Sequence, residues 1–156
     1  MWVFARAVGL VSHSMGAIPV TQILAWDTSI KTGVLMSPVS ATQGWVLDEV
    51  QKMLVPGFMH QSAGKHLGVT VESTKKGLTL FATDYNPIQA VKKIRVPLLV
   101  VSGSNDTATR PEDCRMLFEN ANEPKKWVSI EDAEHNFYEH RYPLMETVVN
   151  WFNKHL

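Results

Sequence analysis

The sequence predicts an α/β protein, a mainly parallel sheet of about four strands flanked by helices. Three observations carry this. Short apolar runs without alternation recur along the chain, as strands buried on both faces require. Segments with apolar residues at helical spacing follow most of them. Strand ends run into small or polar residues, and the loops at one end of a parallel sheet are where its chemistry gathers.

Val8–Val11 reads as the first strand, buried on both faces. Met15–Trp26 carries a helical pattern, with Pro19 early enough to be tolerated in the first turns. Thr32–Met36 is a second buried strand, stopped by Ser37-Pro38. Pro97–Ser102 is the third, with Pro97 at its start, where a missing N–H costs least. Lys126–Ile130 is the fourth. Helices are expected over Pro111–Asn120 and Pro143–Lys154, the latter with Leu144, Val148, Trp151 and Phe152 on one face.

Residues 39–93 interrupt this rhythm within a single expected domain, 1–156. Trp45–Met59 reads as an amphipathic helix, Gly57, Gly64, Gly68 and Gly77 read as breaks, and Ile88–Ile94 reads as a short helix. The segment is either an enlarged crossover packed on the sheet or a small cap. As a cap it would lend Trp45, Met53, Phe58 and Met59 to substrate binding.

Composition narrows the function. Fifteen basic and fifteen acidic residues cancel, which removes the electrostatic footprint of a nucleic-acid or anionic-membrane binder. No apolar run reaches the ~18 residues of a membrane span. The lone cysteine, Cys114, excludes an internal disulfide and fits a reducing compartment, so a cytoplasmic location is expected. His60, His66 and His140 lack metal-ligand spacing, and no metal or cofactor is expected.

Three residues carry candidate chemistry. Ser14 stands in Ser12-His13-Ser14-Met15-Gly16, where a strand turns sharply into a helix and exposes the hydroxyl at the sheet's end. The pattern is S-x-S-x-G, with Ser12 where glycine is usual in such an elbow. Asp106 follows the third strand in Gly103-Ser104-Asn105-Asp106, and His135 follows the fourth in Ala133-Glu134-His135. A nucleophile, a base and an acid that holds the base's tautomer are the parts of acyl transfer. Taken singly, Ser14 also suits an N-cap, Asp106 a turn and His135 a loop. Asp132 and Glu134 are rival acids, but they stand too near His135 in sequence to reach its Nδ1 easily. His13 is expected to pack or to line the substrate pocket.

The order Ser14, Asp106, His135 and the elbow resemble the C-terminal half of the α/β-hydrolase fold. The block from Asn86 to Tyr138, with G-x-x-D at one strand end and A-x-H after the next, resembles esterase and aminopeptidase-like serine hydrolases. The resemblance implies hydrolysis of a carboxylic ester or thioester through an acyl-enzyme. Ser14 would be the nucleophile, His135 the base and then the acid, Asp106 its orienter, and the Met15 N–H an oxyanion donor. A small-molecule ester is the implied substrate, without nucleic acid, membrane or cofactor. The alternative is a shortened, impaired hydrolase remnant acting as a binding module.

That fold begins with further strands and a second oxyanion donor, whereas only Met1–Arg6 and Ala7 precede the elbow strand in this sequence. The edge of Val8–Val11 is therefore expected to stand open and to recruit a second copy as a homodimer. A monomer with Trp2 and Phe4 folded back over that flank is the rival outcome.

Overall fold

The computed structural model describes residues 7–60 and 68–156, so the readings at Trp2, Phe4, Gly64 and His66 lie outside the described residues. Two compact units result, one of residues 7–40 with 87–156 and one of Ala41–Asn86.

The first unit is built on four strands: β1 (Val8–His13), β2 (Ile30–Met36), β3 (Leu98–Gly103) and β4 (Lys125–Ile130). They pair in the order β1-β2-β3-β4, and every pairing is parallel. All the C-terminal strand ends therefore face one way. β1 continues through a 3-10 turn (Ser14–Gly16) into α1 (Ala17–Trp26). After the second unit come α4 (Pro87–Val91), then α5 (Pro111–Asn120) between β3 and β4, and the final helix α6 (Arg141–His155).

Period-two alternation sorts the strand residues onto two faces. Leu35, Leu98 and Val100 join Ala17 and Leu24 of α1, Ile88 and Val91 of α4, and Leu117 of α5 in one core. Val34, Leu99 and Val101 join Phe137 and the α6 residues Leu144, Val148 and Trp151 in the other. β3 is buried along its whole length, each of its four apolar side chains contributing about 1.5–3 kcal/mol of transfer energy. Where α6 crosses β2, Trp151 Nε1 donates to Thr32 Oγ1 at 2.8 Å, which satisfies the buried indole.

β1 corrects one expectation. It runs to His13, and it is not buried on both faces: Val8 is 44% and Val11 50% exposed. Among the described residues β1 has one strand neighbour, β2, so its other edge pairs with no described strand. Apolar composition alone does not distinguish an edge strand from a central one.

The second unit corrects another. A 3-10 turn (Gln43–Val46) precedes α2 (Asp48–His60), and Leu47, extended at ψ 135°, separates the two, so Trp45 stands outside the helix. Gly57 lies within α2 and Gly77 within a further helix, α3 (Val71–Ala82). An interior glycine costs only about 1 kcal/mol against alanine. Thr70 and Ser73 form a reciprocal capping box that offsets such a loss, and Leu78 is buried. Within this unit Gln51 donates to Trp45 O and to Thr79 Oγ1, and Thr42 Oγ1 donates to Phe81 O.

The remaining differences are at element ends. β2 begins at Ile30 rather than Thr32, α1 begins at Ala17 rather than Met15, α6 begins at Arg141 rather than Pro143, and the helix expected over Ile88–Ile94 ends at Val91.

Candidate active site

The site gathers at the C-terminal ends of the strands. Four non-glycine residues have positive φ among the described residues: Ser14 (55°), Ser37 (43°), Asp132 (58°) and Phe137 (56°). Each follows β1, β2 or β4 directly or within the next loop. Left-handed backbone at such residues costs of order 1–3 kcal/mol and persists where surrounding bonds over-determine it. Ser14 is held in this way: its carbonyl accepts from Val39 N at 3.1 Å, and the 3-10 turn begins at it. A Cβ on Gly16 would stand 3.4 Å from Ser12 Cβ, an ordinary contact, so the turn has space for a small side chain there.

Sequence-distant side chains meet at His135. Its Nε2 lies 2.9 Å from Ser14 Oγ, and its Nδ1 lies 2.9 Å from Asp106 Oδ2. Asp106 is 3% exposed, and its Oδ1 accepts from the N–H groups of Ala108 and Thr109, both at 2.9 Å. Thr109 Oγ1 donates to Asp106 Oδ2 at 2.9 Å and also stands 3.0 Å from Ser37 O. Burial works to raise the Asp106 carboxyl. Hydrogen bonds from Thr109 and His135, with the buried Ser37 hydroxyl nearby, outweigh it and hold the pKa below the ordinary carboxylate value.

An ionised carboxylate only accepts, so His135 Nδ1 carries the proton. In the neutral ring Nε2 then offers its lone pair, and the Ser14 hydroxyl can donate to it. That is the proton arrangement in which a serine can be deprotonated during attack.

The rival acids are occupied elsewhere. Glu134 accepts from Asn136 N and Tyr138 N through its two oxygens, each at 2.6 Å, bonds that hold its carboxyl below the ordinary range. Asp132 Oδ1 faces Asn105 Nδ2 at 3.5 Å, and its backbone N–H donates to Ser104 Oγ at 2.8 Å. Both therefore shape the loop that carries His135. The β3 and β4 loops are also joined directly, because Asn105 N donates to Ala133 O at 2.9 Å.

His13 lies beside the same centre. Its Nε2 is 2.8 Å from His135 O, and its ring centroid is 4.7 Å from that of His135. Met15 sits in the first turn after Ser14, where helical geometry leaves N–H groups without intrahelical acceptors. Trp45, Met53, Phe58 and Met59 belong to the second unit. There Trp45 packs edge-on to Phe58 and Phe81, Met59 is half-buried, and Met53 is 70% exposed.

Thr109 and Ser37 are parts of the site that the sequence does not single out, and Glu134, weighed there as a rival acid, instead accepts from two N–H groups of the His135 loop. The spacing Asp106-x-x-Thr109 was the available signal, since a carboxylate at a loop start commonly binds the N–H groups two and three residues on. Among the described residues no group of three or more His, Cys, Asp or Glu is arranged to hold a metal ion. No described helix is long and apolar enough to cross a membrane.

No protein-family model matches the sequence, and no curated protein does. Solved structures do match. An esterase domain from Rhodothermus marinus superposes with a TM-score of 0.70 at 18% identity, over 95% of this chain and 61% of that one. A monoacylglycerol lipase from Paleococcus ferrophilus gives 0.68 at 18%, over 96% and 69%. An enol-lactonase from Burkholderia xenovorans gives 0.61 at 18%, over 94% and 66%. The chain thus spans under two thirds of the esterase domain's length. Likeness at this identity speaks for the fold and not for the activity. With its parallel four-stranded sheet and helices on both faces, the chain has part of an α/β-hydrolase fold.

Proposed function

We propose that the protein is a serine hydrolase that cleaves carboxylic esters or thioesters through an acyl-enzyme on Ser14. The observation that carries this reading is the continuous hydrogen-bonded line from Ser14 Oγ through His135 to Asp106, each link 2.9 Å long. The names of the similar structures, esterase, monoacylglycerol lipase and enol-lactonase, are those of ester-cleaving enzymes and point the same way.

In the first half-reaction Ser14 Oγ bonds to the substrate's carbonyl carbon while its proton passes to His135 Nε2. The carbonyl electron pair moves onto oxygen, where the Met15 N–H donates to it. Collapse of this adduct breaks the bond to the leaving oxygen or sulfur, which takes the proton from Nε2. Water then repeats the sequence on the acyl-serine, releasing the acid and restoring the Ser14 hydroxyl. Asp106 accepts from Nδ1–H throughout and stabilises the transient imidazolium.

A fluorophosphonate probe tests this. Labelling is expected on Ser14 and lost in Ser14→Ala. Labelling that persists in that variant, or that maps to another residue, overturns the reading.

A further inference from the structure

We infer that His13 is a positioning residue for His135, acting through the backbone carbonyl of His135 rather than on substrate. The inference rests on the reading of Ser14 and His135 as reacting groups.

His13 is the last residue of β1 and directly precedes Ser14. Its Nε2 stands 2.8 Å from the carbonyl oxygen of His135, across 122 residues of sequence. A carbonyl only accepts, so His13 Nε2 carries a proton and donates it. The ring packs tilted at 4.7 Å on the imidazole of His135 and edge-on at 6.4 Å on Phe137. One side chain therefore holds both the backbone and the ring of His135. Because His13 and Ser14 are adjacent, the same contact sets the distance between the nucleophile's strand and the base's loop.

His135 lies between Asp132 and Phe137, both at positive φ. The loop is tied before His135 by the bonds of Asn105 N to Ala133 O and of Asp132 N to Ser104 Oγ, and after it by the Glu134 carboxylate, which holds Asn136 and Tyr138. His13 provides the bond at His135 itself. In their neutral forms the two histidines are opposite tautomers, Nε2–H in His13 and Nδ1–H in His135.

Three substitutions separate the donor from the ring. Gln places an amide N–H near the position of Nε2, Asn places one near Nδ1, and Phe keeps a ring without a donor. Ring-nitrogen NMR of the whole chain is expected to show His135 as one Nδ1–H species in the wild type and in His13→Gln. Multiple or broadened His135 signals are expected in His13→Phe and His13→Asn. Fluorophosphonate labelling of Ser14 should fall about tenfold or more in those two, since small misplacements of a reacting group carry costs of that size. His13→Gln should label close to the wild-type rate. A single His135 species with an undiminished rate in His13→Phe overturns the inference, and so does a His13→Gln as defective as His13→Phe. If His13→Phe fails to fold, the Gln and Asn pair decides. Should labelling prove independent of Ser14, the hydrolase reading fails, while the His135 spectra still decide the role of His13.

Discussion

Gly103 and Ala133 approach so closely that no side chain fits between them: a Cβ on Gly103 would lie 2.3 Å from Ala133 O. The same carbonyl accepts from Asn105 N. The seam joins the end of β3 to the loop after β4, so the segment bearing Asp106 and the segment bearing His135 are held backbone to backbone. Glycine is used here for close approach, not for an unusual φ.

Gly103→Ala should consequently separate the two loops. The clash is with backbone, which cannot swing aside, and overpacking of this kind costs about 1–3 kcal/mol. A lower Tm with loss of the single His135 Nδ1–H species is expected by calorimetry and NMR. An unchanged Tm would show that the seam can open without cost.

Asp106→Asn is expected to keep the fold and to lower kcat by about 10³–10⁴-fold with little change in KM, because an amide no longer enforces Nδ1–H on His135. Single-turnover acylation would measure this. A loss under tenfold would remove Asp106 from the proposed role.

Acid titration offers a separate test of the same residue. The folded pKa of Asp106 is lowered, so its contribution to stability is present above the ordinary value of 3.8 and is lost as pH falls through the folded one. The wild-type advantage over Asp106→Asn in urea unfolding should therefore be constant near neutrality and shrink below about pH 4. An advantage that grows on acidification would contradict the assignment.

Glu134→Ala removes the acceptor for two N–H groups on the His135 loop. Acylation of Ser14 is expected to slow by about tenfold, as a reacting group loses its placement. Glu134→Gln, which retains one amide oxygen, should fall between the two. Equal rates in all three forms would show that the loop keeps its shape without this clasp.

Cys114 is 0% exposed on α5, and burial, the largest cause, pushes its thiol up to about 11. At pH 8 only about one thiol in a thousand would be ionised, and the thiolate is the reactive form. A disulfide reagent should react with the native chain only as fast as the chain opens, and rapidly in denaturant. Fast reaction without denaturant would mean that α5 separates readily from the sheet.

Apolar runs and their helical successors determined the parallel α/β arrangement without reference to any contact. The positions of Ser14, Asp106 and His135 after separate strands followed from that, because parallel strands end on one side. Local signals stop there. Asp106, Asp132 and Glu134 are all acidic loop residues, and composition does not say which one meets His135. The choice depends on the Gly103–Ala133 seam and on the N–H groups of Ala108 and Thr109 that fix Asp106. Likewise, nothing near His13 in sequence points to His135, 122 residues away. Exposure of β1 was also decided by tertiary structure. Period and propensity act between neighbours in sequence, whereas hydrogen bonds between loops and the covering of an edge act between segments that only folding brings together.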